Sequence, residues 1–272
     1  MSKIEVKDLC VEYLDNNKTF LALKDVSFSV EEGEFVSIIG SSGCGKSTLL
    51  SILLGLRFPT SGTAAIDGRP ITGTGADRGV VFQHYSLFPW MTVRSNVAFG
   101  VKQSRKNLSR RQRLEIAERF LEKVNLPNFS DKYPSQLSGG MQQRAAIARA
   151  LAMDTDILLM DEPFGAIDAK NRTIMQELLL SLWEGEGKTA KTKKTVVFVT
   201  HDIDEAIFLS DKIVMLSNSP GQVFREITVP FSRPRNHSEM VGAKAYFRLR
   251  NELVSLFYRD VADKIGGDEV VL

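Results

Sequence analysis

Near the start of the chain, apolar and polar residues alternate, and short apolar segments follow them. Residues 4–13 and 21–30 alternate with a period of two, which is typical of strands buried on one face. Residues 35–39 form a short, mainly apolar run, as expected for a strand buried on both faces. Other segments predict a hairpin and further strands, at residues 63–66 with the turn 67–68, 80–83, 157–160, 195–200, 212–216 and 222–229.

The middle of the chain, from residue 92 to residue 155, is instead charged and mostly helical in pattern. We therefore predict an α/β fold with a mostly parallel central sheet, an antiparallel β subdomain and an inserted α-helical subdomain at residues 84–155. Individual helices are predicted at residues 48–56 and 141–153.

The end of the chain has a different pattern from the rest. After a proline-containing linker, a final amphipathic helix is predicted from apolar residues at helical spacing, namely Tyr246, Leu249, Leu253 and Leu256. We accordingly divide the chain into a main domain, residues 1–230, and a C-terminal linker with its helix, residues 231–272.

Composition excludes several classes of protein. With 272 residues, 43% apolar, 25% charged and a net charge of +2, the chain resembles an ordinary soluble domain and gives no indication of nucleic-acid binding. Its two cysteines, Cys10 and Cys44, form no CxxC motif, which favours a reducing compartment. We expect no signal peptide, and no apolar run approaches the ~20 residues of a membrane helix, so a role at a membrane would require another chain to span it.

The segment GSSGCGKST, residues 40–48, follows a predicted strand and precedes a predicted helix, and it matches GxxxxGK[ST]. Glycines let backbone N–H groups surround phosphate oxygens, and the helix start attracts the same anion. We predict that this phosphate loop binds ATP, with Lys46 on the β- and γ-phosphates and Ser47 on Mg²⁺. The predicted ATP-binding residues here are Gly40, Ser41, Ser42, Gly43, Cys44, Gly45, Lys46, Ser47 and Thr48. The alternative is a plain glycine-rich turn.

Acidic residues follow the apolar strand at residues 157–160. Ligands bind at the carboxyl ends of strands in open α/β sheets. Asp161 is therefore a candidate for positioning Mg²⁺, and Glu162 is a candidate general base for an attacking water. The alternative is two solvated acids at a strand end.

Two more polar residues end predicted strands. Strand-end placement puts His201 near a γ-phosphate, while Gln83 is a candidate for contacting Mg²⁺ or the attacking water. Spacing alone does not select either residue, since a lone histidine is usually structural.

The segment QLSGGMQQR, residues 136–144, predicts a second phosphate-facing helix start. Ser138 is a good N-cap, and Gly139 and Gly140 allow close approach of a phosphate. Because the phosphate loop already surrounds the phosphates from one side, a second subunit most simply supplies these residues. We therefore predict a homodimer in which each copy completes the other's site.

Together these segments resemble the ATP-binding subunits of ABC transporters, from about residue 3 to residue 230. GSSGCGKST is similar to the family's Walker A, ILLMDEP to its Walker B with the catalytic glutamate, and LSGGM to its signature. Gln83 matches the Q-loop and His201 the switch histidine. The resemblance implies a P-loop NTPase (RecA-like) core, adenine stacking on Tyr13, and a D-loop at residues 166–168.

Further segments, such as FPWMTVRSNVAFG and DEPFGAIDA, resemble those of importers of the nitrate/sulfonate/taurine type. That implies a peripheral ATPase at the cytoplasmic face of the membrane, membrane permease subunits and, indirectly, a solute-binding protein. The implied solutes are small oxyanions, alkanesulfonates or pyrimidine precursors. The resemblance also implies a permease contact near residues 85–90, where Tyr85, Phe88 and Trp90 would be unusual on a free surface. The alternative is simple core packing of these aromatic residues.

Some features depart from the family or stay open. The signature ends in Met141 instead of the commoner glutamine, and we expect function to survive. The basic loop 185–195, with Lys188, Lys191, Lys193 and Lys194, is interpreted as solvated, with contact to anionic lipid as the alternative. Cys44 is interpreted as a small residue tolerated for its size, with redox sensitivity as the alternative. The C-terminal helix is expected to pack on its own subunit, with a regulatory role as the alternative.

Two other functions are less consistent with this sequence. Soluble ABC ATPases act in DNA repair and translation, but those chains usually carry two cassettes or a long coiled coil. A P-loop kinase would have no use for LSGGM.

Overall fold

The computed structural model describes residues 2–15, 18–83, 86–165, 167–184 and 193–265. The chain forms two compact units: a first unit of Met1–Gly73 with Phe198–Leu272, and a second unit of Thr74–Val197. The predicted boundaries of the inserted subdomain and of the C-terminal part stay predictions.

The strands of the described residues are β1 (Ser2–Asp15), β2 (Lys18–Glu31), β3 (Phe35–Ile39), β4 (Ser61–Ile66), β5 (Arg69–Pro70), β6 (Arg78–Val81), β7 (Ile157–Asp161), β8 (Thr195–Thr200), β9 (Lys212–Leu216) and β10 (Val223–Thr228). The helices are α1 (Lys46–Leu53), α2 (Val93–Ser104), α3 (Arg110–Lys123), α4 (Gly139–Ala152), α5 (Ala169–Glu184), α6 (Ile203–Leu209), α7 (His237–Val241) and α8 (Lys244–Ile265).

The first unit contains an antiparallel sheet in the order β2-β1-β4-β5. The alternation in β1 and β2 buries one face, on which Ile4, Val6, Val26 and Val30 are at most 1% exposed. This sheet is the antiparallel subdomain that the alternating pattern predicts.

The first unit also contains the strand order β10-β9-β3, with the end of β8 beside β3. β3 and β9 are parallel, whereas β10 is antiparallel to β9. All five residues of β3 are buried, as its apolar run predicts. The carboxyl end of β3 leads directly into residues 40–48.

The second unit contains the parallel pair β6 and β7, with the beginning of β8 beside β7, and helices α2 to α5. Helix α3 begins with a capping box, in which Ser109 Oγ accepts from the amide of Gln112 and the Gln112 side chain accepts from the amide of Ser109. Helices α2, α3 and α4 pack together, and α2 approaches α4 at Gly100. A Cβ there would lie 2.8 Å from Arg149 Cγ.

The predicted amphipathic helix at the end of the chain is present as α8, and its apolar residues Tyr246, Leu249 and Leu253 are buried. None of the helices in the described part of the chain is long and apolar enough to cross a bilayer.

Helix α1 differs from its prediction, since it spans Lys46–Leu53 instead of residues 48–56. Gly55 adopts a left-handed backbone with φ 73°, so the helix cannot continue through it. The amide of Gly55 donates to the carbonyl of Ile52, and that of Leu56 donates to the carbonyl of Ser51. This is the Schellman pattern that terminates many helices.

Candidate active site

The phosphate loop joins β3 to α1, so the strand–loop–helix order that the sequence predicts is present. Gly43 and Gly45 have φ values of +83° and +95°, a left-handed backbone that glycine adopts without steric cost. Gly45 is the N-cap of α1, and Lys46 is its first residue. The glycines therefore turn the chain so that the positive end of α1 faces the loop.

Close packing holds the loop against its own unit. A Cβ on Gly40 would lie 2.6 Å from Cys44 Sγ and 2.7 Å from the carbonyl oxygen of Leu216, so only glycine fits there. Cys44 is fully buried, which favours its interpretation as a small packing residue.

Lys46 is 7% exposed, and its ammonium group lies inside the loop. Its Nζ donates to the carbonyl oxygens of Gly40 and Ser41 at 2.8 and 2.9 Å. Ser41 Oγ is buried and has no hydrogen-bond partner among the described residues. A Cβ on Gly43 would meet nothing within 4 Å. A cation, an unpaired hydroxyl and open space above the loop backbone fit a phosphate group.

Tyr13 hydrogen-bonds to this region, with its hydroxyl 2.9 Å from Thr48 Oγ1. The Arg57 guanidinium lies 4.2 Å from the ring centroid and covers one face of the ring. A base stacked on Tyr13 would use the opposite face, and its predicted role stays a prediction.

His201 is the first residue after β8, as predicted, and it is exposed. It lies in the first unit with the phosphate loop.

The second unit brings Gln83 and Glu162 together. Gln83 Nε2 donates to Glu162 Oε2 at 3.3 Å. Asp161 is the last residue of β7, and Glu162 follows it with φ 43°. A left-handed backbone is costly for a residue with a side chain, by about 1–3 kcal/mol, and such residues cluster at functional sites.

The predicted end of the strand at Gln83 is wrong, because β6 ends at Val81. Pairing with β7 extends only to Val81 and Met160. Gln83 lies two residues beyond the strand, where its side chain is exposed and bonds to Glu162.

Ser138 is the N-cap of α4, as predicted, and its Oγ accepts from the amide of Met141 at 3.4 Å. The helix begins at Gly139, so both glycines occupy its first turn and lie before the predicted start at residue 141. At this position they leave the first amides of the helix uncovered by side chains. Their role toward a second subunit stays a prediction.

Several other predicted positions lie outside the described residues, namely Tyr85, residue 166 of the D-loop, and Lys188 and Lys191 of the basic loop. In the described end of that loop, Lys194 Nζ donates to Asp154 Oδ1 at 3.0 Å and to the carbonyl of Thr155 at 2.7 Å. Lys194 is therefore tied to its own unit.

The sequence model of a protein family, described as ABC transporter, matches residues 23–165 of the chain. Over 238 residues the chain is 48% identical to an uncharacterised ABC transporter ATP-binding protein of Methanocaldococcus jannaschii, covering 88% of this chain and 86% of that protein. The chain belongs to the ABC transporter family. This ABC subunit is also 46% identical over 244 residues to the nitrate import ATP-binding protein NrtD of Synechococcus elongatus, covering 89% of this chain and 87% of that protein.

Among solved structures, the ABC subunit resembles a dimeric, post-hydrolysis ATP-binding cassette bound to ADP and Pi, with a TM-score of 0.74 and 36% identity. The match covers 84% of this chain and 100% of that chain. The predicted family, the P-loop fold and the assignment as an ATPase that uses ATP and Mg²⁺ are confirmed.

Gly221 of this ABC subunit contacts the phosphate loop, although no sequence motif predicts it. A Cβ there would lie 2.0 Å from the carbonyl oxygen of Cys44, in the phosphate loop. Gly221 is itself fixed, since its amide donates to the carbonyl of Ala22 and its carbonyl accepts from the amide of Lys24, both at 2.9 Å. Its only sequence signal is a Pro-Gly pair after β9, which reads as an ordinary turn.

In the ABC subunit, the aromatic segment after Gln83 is held in place by its own ring contacts and by the side chain of Asn96. The Phe88 ring centroid lies 5.3 Å from that of Trp90 and 4.8 Å from that of Phe99. Asn96 is fully buried, and its side chain accepts from the amide of Phe88 and donates to the carbonyls of Phe88, Met91 and Thr92. Trp90 is nevertheless 69% exposed.

Proposed function

We propose that this chain is the ATP-hydrolysing subunit of an importer for a small oxyanion of the nitrate type. The similarity to a nitrate import protein over most of both chains supports this solute class. The segments FPWMTVRSNVAFG and DEPFGAIDA, which resemble importers of the nitrate/sulfonate/taurine type, agree with it.

In this proposal the phosphate loop neutralises and orients the triphosphate. Lys46 exchanges its contacts with loop carbonyls for the β- and γ-phosphate oxygens, and Ser41 Oγ gains a partner. Ser47, Asp161 and Gln83 would hold Mg²⁺, which when bound offsets negative charge on the phosphates.

Glu162 accepts the proton of the attacking water, and His201 stabilises charge on the γ-phosphate oxygens. The observation that carries this assignment is the position of Glu162: a left-handed residue directly after Asp161 whose carboxylate accepts from Gln83. The hydrogen bond fixes the direction of the carboxylate, and a fixed general base needs no reorganisation at the moment of reaction.

The proposal includes a second copy of the chain. Ser138, Gly139 and Gly140 would bind the γ-phosphate held by the partner copy, so ATP closes the dimer and hydrolysis releases it. The dimeric form of the related cassette supports this arrangement. The dimer would work at the cytoplasmic face of the membrane with permease subunits that contact the segment at residues 85–90, where Trp90 is exposed.

The test is Glu162→Gln, with Glu177→Gln on the exposed face of α5 as the matched control. We expect Glu162→Gln to bind ATP and accumulate as a dimer in size-exclusion chromatography, while kcat falls by about 10²–10⁴-fold. The control should hydrolyse ATP at the wild-type rate. Full activity in Glu162→Gln would show that Glu162 is not the general base. Full activity in a strict monomer would show that the dimer is not needed for hydrolysis.

A further inference from the structure

The C-terminal helix is attached to the short helix that follows His201. Tyr246 of α8 donates from its hydroxyl to Asp204 Oδ1 at 2.6 Å, and Arg250 Nε donates to the same oxygen at 2.7 Å. Asp204 is in the first turn of α6, three residues after His201. Both bonds involve a carboxylate, which makes them stronger than bonds between neutral groups.

The environment of Tyr246 holds its hydroxyl in the donor form. Tyr246 is 4% exposed, and burial, followed by the hydrogen bond to Asp204, raises the pKa of Tyr246 well above its ordinary value. The hydrogen bond to Asp204 likewise raises the pKa of Arg250, which therefore stays cationic. The carboxylate of Asp204 therefore accepts from a buried hydroxyl, that of Tyr246, and from a cation, the guanidinium of Arg250.

The linker before α8 holds the other end of α6. Arg235 Nη1 donates to the carbonyls of Phe208 and Ser210 at 3.0 and 2.7 Å, and Arg233 Nη2 donates to that of Leu209 at 2.6 Å. The last carbonyls of a helix lack intrahelical partners, and cations are favourable there. A helix of seven residues is not stable alone, so α6 depends on these contacts for its order.

The first turn of α6 is in turn bonded to the residues on either side of His201. Thr200 Oγ1 donates to Glu205 Oε2 at 2.7 Å and accepts from the amide of Asp202 at 3.0 Å. Asp202 Oδ1 accepts from the amides of Asp204 and Glu205. The backbone at His201 is therefore fixed by the same turn that Tyr246 and Arg250 hold.

We propose that α8 is a positioning element for ATP hydrolysis: Tyr246 and Arg250 hold Asp204 and, through the first turn of α6, keep His201 in place. This inference rests on the role proposed for His201. Neither residue touches the nucleotide in this proposal, so ATP binding should not depend on them.

The experiment uses the full-length protein and steady-state release of radiolabelled phosphate. Tyr246→Phe removes only the donor hydroxyl, and Arg250→Ala removes the cation. Tyr258→Phe and Arg248→Ala are matched controls, because both side chains are exposed on the same helix. We expect kcat to fall about tenfold in the two test variants, with the KM for ATP unchanged, and both controls to match the wild type.

Combination with His201→Ala separates positioning from a general structural role. His201→Ala alone should lower kcat by about 10²-fold. If α8 acts through His201, adding Tyr246→Phe or Arg250→Ala to His201→Ala should lower kcat no further. Arg250→Lys, which keeps the cation, should recover part of the rate lost in Arg250→Ala.

The outcomes distinguish this inference from the proposed function. Loss of kcat in the test variants that is additive with His201→Ala overturns the inference, as does wild-type kcat in both test variants. A rise in the KM for ATP that accounts for the lost activity also overturns it. A wild-type protein without ATPase activity contradicts the proposed function itself, and full activity in His201→Ala overturns the role of His201 and the inference with it.

Discussion

Gly221 packs against the phosphate loop so closely that a single added methyl group would collide with the backbone of that loop. In Gly221→Ala the new Cβ would start 2.0 Å from the carbonyl oxygen of Cys44 and 3.0 Å from Leu23 Cδ2. Because Cβ atoms do not approach other heavy atoms below about 3.0 Å, the two segments must separate by about 1 Å.

The phosphate loop is the side that should move. Gly221 is hydrogen-bonded on both sides, to Ala22 and Lys24. Displacement of the Cys44 carbonyl shifts the amides that follow it, which are those that surround a phosphate. Overpacking of this kind typically costs about 1–3 kcal/mol of stability, and a misplacement of about 1 Å in a site can cost about 10²-fold in activity.

The measurement is titration of Gly221→Ala with a fluorescent ATP analogue, together with its thermal unfolding temperature. We expect ATP affinity to fall about 10- to 100-fold. Gly242→Ala is the control, because its Cβ would lie 3.6 Å from the nearest atom, the carbonyl oxygen of Ser238. Wild-type ATP affinity in Gly221→Ala would show that the loop tolerates the displacement and that the steric argument is wrong.

Two further predictions concern stability. Asn96→Ala removes the acceptor of the Phe88 amide and one donor to each of the carbonyls of Phe88, Met91 and Thr92, of which those of Phe88 and Thr92 keep a backbone bond. The free energy of unfolding in urea should therefore fall by about 2–3 kcal/mol, and a change below about 0.5 kcal/mol would mean that water replaces the side chain. The raised pKa of Tyr246 gives the second prediction: the folded state keeps this proton at a pH where the unfolded chain, with a tyrosine pKa of about 10, has lost it. Stability from Tyr246 is therefore complete below about pH 10 and is lost progressively as the pH rises from there toward the raised pKa of the folded state. Urea unfolding between about pH 9 and 11 should show a steeper loss of stability in the wild type than in Tyr246→Phe, and equal slopes would contradict the raised pKa.

The local sequence pattern is sufficient to predict an element wherever the residue types present determine the backbone conformation. The apolar run of β3 and the glycines after it predict the strand, the loop and the start of α1, because burial and left-handed glycines act locally. Ser138 was found as an N-cap for the same reason.

The misses came from contacts between distant parts of the chain. The left-handed backbone of Glu162 follows no residue preference, since it belongs to the turn after β7. Gly221 is constrained by the Cys44 carbonyl, which is far away in sequence. The end of α1 was missed although its signal, Gly55, was in the sequence, because the apolar residues Leu54 and Leu56 continue the helical pattern past it.

Asn96 has a consequence for any molecule that meets Trp90. Since one buried amide joins residues 88, 91 and 92 from within, the segment is rigid before an encounter. Ordering a mobile loop opposes association by about 0.5–1.5 kcal/mol for each flexible side chain that is immobilised. A prefolded segment avoids much of that penalty, so capture of a partner here should be limited chiefly by collision and orientation.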